Sequence, residues 1–387
     1  MHNFLLEIGT EELPAELASS VIPQLKEAVA LDLRNFRVKH GLITCTTTPR
    51  RIALIINELA VSALDFVQER KGPPYIQAYK NDEPTNAAIG FAKKNNLSVN
   101  DLEVRDTPKG KFLFARTIEK GRPINKILIE RIPIWIESIQ GNRFMRWGQG
   151  EVRFSRPIRW LIAMLDDQLL PVFIKGTDPL IKSTQISKTH RMSENEEVKI
   201  TNANAYLSSM LKNNVNVDRD KRYNMIERMV REKASSINAI PDLTNKIIDE
   251  LTDLVESPSI FIGGFDKSYL DLPPEVLSTV MRVHQRYIPL YIDQSQNDIL
   301  SLDSKKILFP NFLCITNTLA KSKDLVRSGN ERVLRARFSD AKFFIQSDLA
   351  ISSEERCEKL KKVSFSEGLG SLFNRVQRIQ WITDKLI

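Results

Sequence analysis

The sequence predicts an α+β protein with mixed or antiparallel sheets and packed helices. Strand-like and helix-like stretches mix along the chain without the regular strand–helix alternation of a doubly wound parallel sheet. Hydrophobic residues make up 42% of the chain and charged residues 27%, which is typical of a globular protein with a packed core. With 387 residues the chain can hold two or three domains, and we expect them at 1–67, 68–320 and 321–387.

The individual elements follow from β-branched runs, helical spacing and turn residues. They are, in chain order, strands over 4–8 and 48–56 around a helix that begins near Pro14, a helix over 87–95, a strand over 112–118, a helix over 123–139, a hairpin of 158–165 with 169–175, helices over 203–213, 218–234 and 243–255, and strands over 259–265, 287–292 and 312–316. Pro23 should kink or restart the first helix, and Asp218 is placed to cap a later one. Prolines and polar residues over 68–84 predict a hinge or an exposed connection. After about residue 320 the whole chain is expected to be helical.

The last segment predicts an amphipathic helix whose apolar residues run from Leu372 to Leu386. No glycine cap or polar tail follows it, and nothing after it is available to bury its apolar face. From this pattern we expect the sequence to be the N-terminal part of a longer polypeptide.

Composition and motifs exclude several classes of function. Lys plus Arg number 56 against 48 for Asp plus Glu, a formal charge of +8 that suits a polyanionic partner such as nucleic acid. Three cysteines and four histidines show no disulfide or zinc spacing, and phosphate-loop, dinucleotide-binding and nucleophile-elbow motifs are absent. Glu11 and Glu12 are interpreted as acids that complement a helix start. We therefore predict no catalytic residue, no bound cofactor and no metal site.

The same sequence predicts a cytoplasmic protein without a membrane partner. A carboxylate at Glu7 comes too early for a signal peptide, and no apolar run is long enough to span a bilayer.

The most informative stretch is 330–344, which is rich in good helix formers. Its arginines are Arg332, Arg335 and Arg337, and its apolar residues at helical spacing are Val333, Leu334, Phe338, Ala341 and Phe344. Glu331 lies one turn before Arg335, the favourable orientation for an ion pair on a helix. One side of this helix should dock on a core and leave the arginines as an anion-facing surface. The alternative is a solvated face whose arginines pair with local acids.

A second basic cluster lies within seventeen residues that contain a single acid, Glu151. Its members are Arg143, Arg146, Arg153, Arg156 and Arg159, with Trp147 and Trp160 interleaved. Arginine can grip phosphates through its planar fork, and indoles offer stacking faces for unpaired bases. Alternatively, both tryptophans belong to a core and the arginines pair with carboxylates elsewhere. A third cluster over 282–287 is compatible with either role.

Eight collinear blocks resemble one family. They are Leu6-Glu-Ile-Gly-Thr-Glu-Glu-Leu-Pro-Ala15, Thr48-Pro-Arg-Arg-Ile-Ala53, Lys71-Gly-Pro73, Met145-Arg-Trp-Gly148, Arg156-Pro-Ile-Arg-Trp160, His284-Gln-Arg-Tyr287, Gly329-Asn-Glu-Arg-Val-Leu-Arg-Ala-Arg337 with Asp340-Ala-Lys-Phe-Phe344, and Leu369-Gly-Ser371. In this order they resemble the β subunit of bacterial glycyl-tRNA synthetase of the heterotetrameric α2β2 type. Eight ordered matches are far more specific than any single motif.

The resemblance implies a subunit of a ligase, an aminoacyl-tRNA synthetase that attaches glycine to tRNA(Gly) in translation. In that family the α subunit carries the class II catalytic core, the holoenzyme uses ATP and Mg²⁺, and the β subunit supplies tRNA binding. This chain alone is expected to be inactive. The resemblance further implies that 68–320 is similar to the B3/B4 region of phenylalanyl-tRNA synthetase, and that 321–387 begins a helical HD-type domain.

The candidate tRNA-binding residues are Arg143, Arg146, Arg156, Arg159, Arg332, Arg335 and Arg337. Relatives typically have Arg-Gly-His-Arg where this chain has Lys188-Thr-His-Arg191, so no role is assigned to His190. The leading hypothesis is a subunit that positions tRNA beside a catalytic site on its partner. A second is an assembly scaffold for the α subunit that leaves tRNA binding to other domains. A third is an editing hydrolase. Editing is unnecessary here because glycine is the smallest amino acid, so no larger one needs to be cleared through a pocket that excludes it.

Overall fold

The structure is a computed structural model that describes residues 1–292, 307–319 and 323–386. The chain forms two compact units. The first consists of Met1–Arg222 with Thr252–Ser257, and the second of Tyr223–Leu251 with Pro258–Ile387. Both mix helices with antiparallel strand pairs, so the predicted combination of helices and antiparallel sheets is confirmed. The predicted domain boundaries near 67 and 320 stay predictions.

The first unit contains sixteen strands, several of them only two residues long. In chain order they are β1 (His2–Thr10), β2 (Ile43–Thr48), β3 (Arg51–Leu59), β4 (Phe66–Pro74), β5 (Tyr79–Lys80), β6 (Glu83–Pro84), β7 (Glu103–Thr107), β8 (Gly110–Glu119), β9 (Met145–Arg146), β10 (Arg153–Phe154), β11 (Ile158–Leu165), β12 (Gln168–Leu169), β13 (Phe173–Ile174), β14 (Ile181–Lys182), β15 (Ile186–Lys188) and β16 (Glu197–Lys199). The helices are α1 (Ala15–Asn35), α2 (Tyr75–Ala78), α3 (Asn86–Lys94), α4 (Ile124–Ser138), α5 (Tyr206–Lys212) and the start of α6 (Arg219–Ser235).

The main sheet of the first unit has the strand order β12-β11-β1-β3-β2. The central strand β1 pairs with β11 on one side and β3 on the other, and Leu6 lies opposite both Ala163 and Leu54. β11 returns into β12, where Met164 faces Leu169. The predicted hairpin is therefore right for 158–165 and its turn, but its second arm is wrong beyond Leu169, because Phe173 and Ile174 pair with β14. The central position of β1 explains its nearly continuous apolar sequence, because both of its faces are covered.

Alternate side chains of β1 enter two different cores. Phe4 and Leu6 pack with residues of α1 and α4, while Leu5 packs on the opposite face with Tyr206 and Met210 of α5. Successive side chains of a strand point to opposite faces, so one apolar run supplies both cores.

A buried acid joins the two helices on the first of these faces. Asp32 of α1 accepts hydrogen bonds from Arg131 Nε and from Trp135 Nε1 of α4, each at 2.6 Å. Two donors on one helix thus satisfy a carboxylate that would be costly to bury alone.

Two sequence predictions for the first unit differ in part from the structure. The segment 66–74, which overlaps the predicted hinge, forms β4, and Lys71 lies opposite Phe114 of β8. β4 is the edge strand of the sheet β4-β8-β7, where proline is tolerated because not every N–H needs a partner in the ladder. Pro23 does not restart the first helix, since α1 continues from Ala15 to Asn35, and the kink expected there stays a prediction.

The second unit is built on a four-stranded sheet and a long helix. Its elements are the rest of α6, β17 (Ala239–Pro241), α7 (Asn245–Leu254), β18 (Ser259–Gly264), α8 (Pro274–Thr279), β19 (Ile288–Ile292), β20 (Leu308–Thr316), α9 (Lys323–Leu349), α10 (Ser353–Lys359), β21 (Ser364–Ser366), β22 (Gly370–Ser371) and α11 (Leu372–Leu386). The sheet order is β17-β19-β20-β18. The expected cap of α6 is present, since Lys221 N donates to Asp218 Oδ1 at 3.1 Å.

The apolar face of α9 is narrower than its sequence predicts. Leu334 and Phe338 are fully buried, and Phe338 meets the ring of Phe265 edge-on at 5.0 Å. Val333 and Phe344, predicted to belong to the same stripe, are 45% and 66% exposed. The stripe prediction is therefore right for the centre of the helix and wrong at its margins.

The prediction that every residue after 320 is helical is also wrong. β21 and β22 form a short antiparallel pair between α10 and α11. Gly368 and Gly370 hold positive φ angles of 74° and 77° there, a conformation that glycine adopts without strain and that ends the helical run.

Candidate functional site

The topology of the first unit brings together four of the segments that resemble the synthetase family. β1 and β11 are antiparallel, so the end of β1 and the start of β11 meet, with Thr10 opposite Ile158. Glu11 N donates to Pro157 O at 3.1 Å directly beyond this pair. Residues far apart in sequence therefore share one edge of the main sheet.

Two arginines form ion pairs with Glu11 and Glu12 at this edge. Arg159 Nε lies 3.2 Å from Glu11 Oε1, and Arg191 Nη1 lies 2.6 Å from Glu12 Oε1. Arg191 Nη2 is also 3.7 Å from Glu11 Oε2. The interpretation of both acids as helix-start residues is thus wrong, because their side chains pair with arginines and α1 begins only at Ala15. For Arg159 the alternative of pairing with a carboxylate holds.

A buried charged network lies immediately behind the edge. Arg51 is completely buried, with Nη2 at 3.0 Å from Glu256 Oε1 and Nη1 at 3.9 Å from Glu7 Oε1. Burial by itself would lower the pKa of Arg51, but Glu256 and Glu7 outweigh it and raise the pKa above its ordinary value. Arg51 Nη2 also donates to Lys188 O at 3.0 Å, which ties the network to β15.

The indole of Trp160 belongs to this network and not to a free surface. It is 7% exposed, its Nε1–H donates to Glu7 Oε1, and its ring lies against Gly9. A Cβ at Gly9 would stand 1.8 Å from the ring, so only glycine permits this packing. The stacking role considered for Trp160 is therefore wrong, and the core alternative holds.

Beside the ion pairs the first unit contains a cleft of about 510 Å³. Its lining includes Trp147, Arg159, Gly176, Asp178 and Lys188. Trp147 is half-buried, and its Nε1–H donates to Phe154 O at 3.1 Å, which fixes the orientation of the indole. The volume lies within the range of small-molecule sites in proteins.

The remaining arginines of the second cluster lie on or near the β9–β10 ribbon. Arg146 and Arg153 are exposed and directly opposite each other, and Arg143 is exposed just before β9. Arg156 is half-buried and donates from Nη1 to Ser155 O at 2.9 Å. In the described part of the chain, Arg143, Arg146 and Arg156 have no carboxylate within ion-pair distance.

The three arginines of α9 in the second unit are exposed as well. Among the described residues, Arg332, Arg335 and Arg337 have no ion pair, and the expected pair of Glu331 with Arg335 is wrong. Glu331 Oε1 instead accepts the backbone N–H of Gly264 at 3.0 Å, which anchors α9 to β18. That contact occupies Glu331, so this acid does not pair with Arg335.

The third basic cluster serves the structure of the second unit. Arg282 pairs with Asp242 at 3.1 Å and Arg286 with Glu250 at 2.7 Å. The hydroxyl of Tyr287 donates to Asn330 Oδ1 at 2.6 Å. Of its two possible roles, the geometry supports the structural one.

No metal centre is assembled within the described residues. No three His, Cys, Asp or Glu side chains in 1–292, 307–319 and 323–386 gather into a metal-binding group. Burial raises the pKa of both Cys45 and Cys314 to about 12, so each thiol stays protonated at neutral pH. His190 is buried, and its Nδ1 accepts the backbone N–H of Met192 at 3.2 Å. None of the described helices is long and apolar enough to cross a membrane.

Sequence reasoning missed the network of Glu7, Arg51 and Glu256. A signal was present for two of its members, because Glu7 interrupts an apolar strand and Arg51 begins another. A charge inside an apolar strand needs a partner. The partner Glu256 carries no such signal, since it lies some two hundred residues away.

Comparison with known proteins gives consistent matches along the whole sequence. The family described as glycyl-tRNA synthetase beta subunit matches residues 4–387. The glycine–tRNA ligase beta subunit of Acaryochloris marina is 38% identical over 100% of this chain and 53% of its own length. Those of Trichodesmium erythraeum and Synechocystis sp. are 39% and 37% identical over 97% and 98% of the chain, and over 52% and 51% of their own lengths. The chain spans about half the length of these curated relatives.

Proposed function

We propose, from the premise that this chain belongs to the glycyl-tRNA synthetase beta subunit family, that it binds and positions tRNA(Gly) for glycine attachment. The chain acts as a cytoplasmic subunit of an α2β2 glycine–tRNA ligase. The α subunit carries the catalytic core, and the assembled enzyme uses ATP and Mg²⁺. The chain by itself does not perform the reaction.

One observation carries this proposal. Arg143, Arg146, Arg332, Arg335 and Arg337 are exposed, and within the described parts of the chain they have no carboxylate partner. Arginines without a carboxylate partner have their planar fork of donors available for phosphates. Arg159, in the first unit, becomes available to a phosphate only if an RNA displaces Glu11 from it.

The mechanism is electrostatic and entropic. Phosphate contacts carry no sequence information, but they fix the register and orientation of a bound nucleic acid. Holding the acceptor end of the tRNA beside an activated glycine converts a bimolecular encounter into a nearly unimolecular one. The chain therefore needs no nucleophile of its own to accelerate the reaction.

The regional assignments extend the same proposal. Residues 68–320 are assigned to a B3/B4-like region and 321–387 to the start of an HD-type helical domain, with 1–67 as an N-terminal unit. The family membership supports these assignments, and the long helix α9 is compatible with the last one.

The competing function is an assembly scaffold for the α subunit. Under that hypothesis Arg332, Arg335 and Arg337 would form ion pairs with a partner subunit or another domain. The observation that favours it is that these arginines have no ion-pair partner within the described chain. A carboxylate of another protein could be that partner as well as a phosphate could.

The test uses the complete α2β2 enzyme with the triple variant Arg332→Ala, Arg335→Ala and Arg337→Ala. The proposed function predicts an intact tetramer whose affinity for tRNA(Gly) falls roughly tenfold or more, and whose salt dependence becomes less steep by about 2–3 in log–log slope. Sedimentation measures assembly, and filter binding at several salt concentrations measures affinity.

The matched control is Arg116→Ala on β8, which removes one exposed charge outside the candidate surfaces. Dissociation of the triple variant with unchanged tRNA affinity per assembled enzyme would favour the scaffold. If the affinity of the wild-type enzyme for tRNA(Gly) did not change with salt concentration, the proposed function would be refuted.

A further inference from the structure

We propose that the cleft of the first unit beside Trp147 binds one unpaired nucleotide of an RNA, with the base on the indole and the adjacent phosphate at Arg146 and Arg153. This inference rests on the proposed function and names the chemical class that the site accepts. It assigns a role to a cavity that RNA binding by surface arginines alone leaves unexplained.

The first argument is the shape of the cleft. At about 510 Å³ it is large enough for a small planar ligand, and Trp147 supplies an aromatic wall. The hydrogen bond from Trp147 Nε1 to Phe154 O holds this wall in place before any ligand arrives. An indole that is already oriented loses little freedom on stacking, and stacking accepts any base because every base has a π-face.

The second argument is a rim built by backbone contacts. Gly176 O accepts the N–H of Glu151 at 2.6 Å, which joins the ribbon to the opposite side of the cleft. A Cβ on Gly150 would stand 2.7 Å from that same oxygen, so the close approach requires glycine. Gly148, next to Trp147, holds a φ of 59°. These backbone contacts fix the rim of the cleft.

The third argument is the division of charge. Inside the cleft the two cations are already paired, Arg159 with Glu11 at 3.2 Å and Lys188 with Glu197 at 2.6 Å. Asp178 adds an acid to the lining. A nearly neutral interior with hydrogen-bonding groups suits a base, and it disfavours a phosphate.

The excess positive charge lies on the ribbon that forms the rim. Arg146 and Arg153 occupy directly opposite positions on β9 and β10, an arrangement of like charges that destabilises a strand pair. A phosphate between or beside them would relieve this repulsion. An unpaired nucleotide that turns into a pocket places its base inside and its phosphate outside. A paired nucleotide in a duplex cannot adopt this arrangement.

The test measures binding of a fluorescein-labelled single-stranded RNA hexamer of mixed sequence, and of tRNA(Gly), to the complete chain. We expect Trp147→Ala to weaken hexamer binding about 5- to 100-fold, the usual effect of losing one base–aromatic stack. Trp147→Phe keeps an aromatic face and should lose less than about fivefold. Arg146→Ala with Arg153→Ala should reduce the salt slope by about 1–1.5.

Two measurements protect the test against misfolded variants. Thermal unfolding followed by far-ultraviolet circular dichroism checks each variant, with Arg116→Ala as the charge control that should bind like wild type. A hexamer carrying 4-thiouridine should cross-link to wild-type protein near Trp147 and Asp178, which requires no variant at all.

The outcomes separate this inference from the proposed function. If folded Trp147→Ala bound the hexamer with wild-type affinity, or if cross-links formed only on other surfaces, the cleft assignment would be overturned. The proposed function would remain intact in that case as long as tRNA binding depends on salt. A fully paired RNA duplex that binds as tightly as the hexamer and loses as much affinity on Trp147→Ala would also overturn it. Cross-links in the cleft without any binding of tRNA(Gly) would support a nucleotide site and contradict the proposed function.

Discussion

Arg51, at the start of β3 in the first unit, and the three arginines on α9 of the second unit carry the same charge in opposite surroundings. Arg51 is completely buried and held by Glu256 at 3.0 Å, whereas Arg332, Arg335 and Arg337 are exposed and have no such partner among the described residues. A buried cation needs compensation to be tolerated at all, while an exposed one is already solvated by water. Only the second kind remains available to a ligand.

A second buried arginine shows that the kind of compensation also matters. Arg222 donates to the carbonyl oxygens of Thr47 at 2.6 Å and Asn216 at 2.7 Å. Burial lowers its pKa to about 10, and the nearby Asp253 and Glu256 only partly offset this. Arg51, in direct contact with Glu256, has a raised pKa instead. The difference between the two arginines is therefore the direct carboxylate contact that Arg51 has.

The largest expected effect is on the buried side of this comparison. Arg51→Ala should lower the free energy of unfolding by about 3–5 kcal/mol, because it leaves Glu7 and Glu256 buried without their shared cation. Chemical unfolding followed by circular dichroism measures the loss. Arg116→Ala is the exposed control and should stay within about 0.5 kcal/mol of wild type. A loss below about 1 kcal/mol for Arg51→Ala would mean that the network does not stabilise the sheet.

The next test separates two faces of one helix. Leu334→Ala should destabilise the protein by about 2–5 kcal/mol, since it opens a cavity in the core of the second unit. Arg335→Ala, on the next residue but exposed, should change the free energy of unfolding by less than about 0.5 kcal/mol. Thermal unfolding of both variants gives the comparison. Equal losses would show that Arg335 has a structural partner and would weaken the proposed RNA contact.

An intermediate case lies at the ends of β1 and β11. Asp166 accepts from Asn3 N at 2.8 Å and lies 2.6 Å from His2 Nδ1. Burial tends to raise the pKa of Asp166, but the Asn3 amide and the His2 side chain outweigh it and hold the pKa below its ordinary value. A carboxylate with a lowered folded pKa stabilises the fold above the unfolded pKa near 4 and loses this contribution as the pH falls through the folded pKa.

Asp166→Asn should therefore cost about 0.5–1 kcal/mol at pH 7, the size of a partly exposed pair, and almost nothing near pH 2. Unfolding of wild type and variant across pH 2–7 measures the difference. A cost that does not shrink below about pH 4 would show that the carboxylate charge is not responsible.

The smallest expected effect concerns the paired edge of the first unit. Glu11→Gln with Glu12→Gln frees Arg159 and Arg191 from their carboxylates, so affinity for RNA should rise roughly two- to fivefold, while stability changes by less than about 1 kcal/mol. Hexamer and tRNA titrations at low salt measure the gain. Weaker binding by a folded double variant would instead place the two acids in contact with the RNA.

The sequence determined the kinds of element and the family. Apolar spacing in α1 and the β-branched run of β3 predicted both elements, and the family assignment from eight short blocks is confirmed by the match over 4–387. Local patterns suffice there because helix and strand periodicity are properties of neighbouring residues. The residues predicted for RNA binding stay predictions, although the structure leaves most of them exposed.

Only the tertiary structure decided which charges and rings are available. Trp147 and Trp160 have similar sequence surroundings, yet one lines a cleft and the other packs on Gly9 behind Glu7. Glu331 was free to pair along its own helix, but Gly264 N is a partner from another element. Pairing and burial depend on residues brought together across hundreds of positions, and no local spacing records those distances.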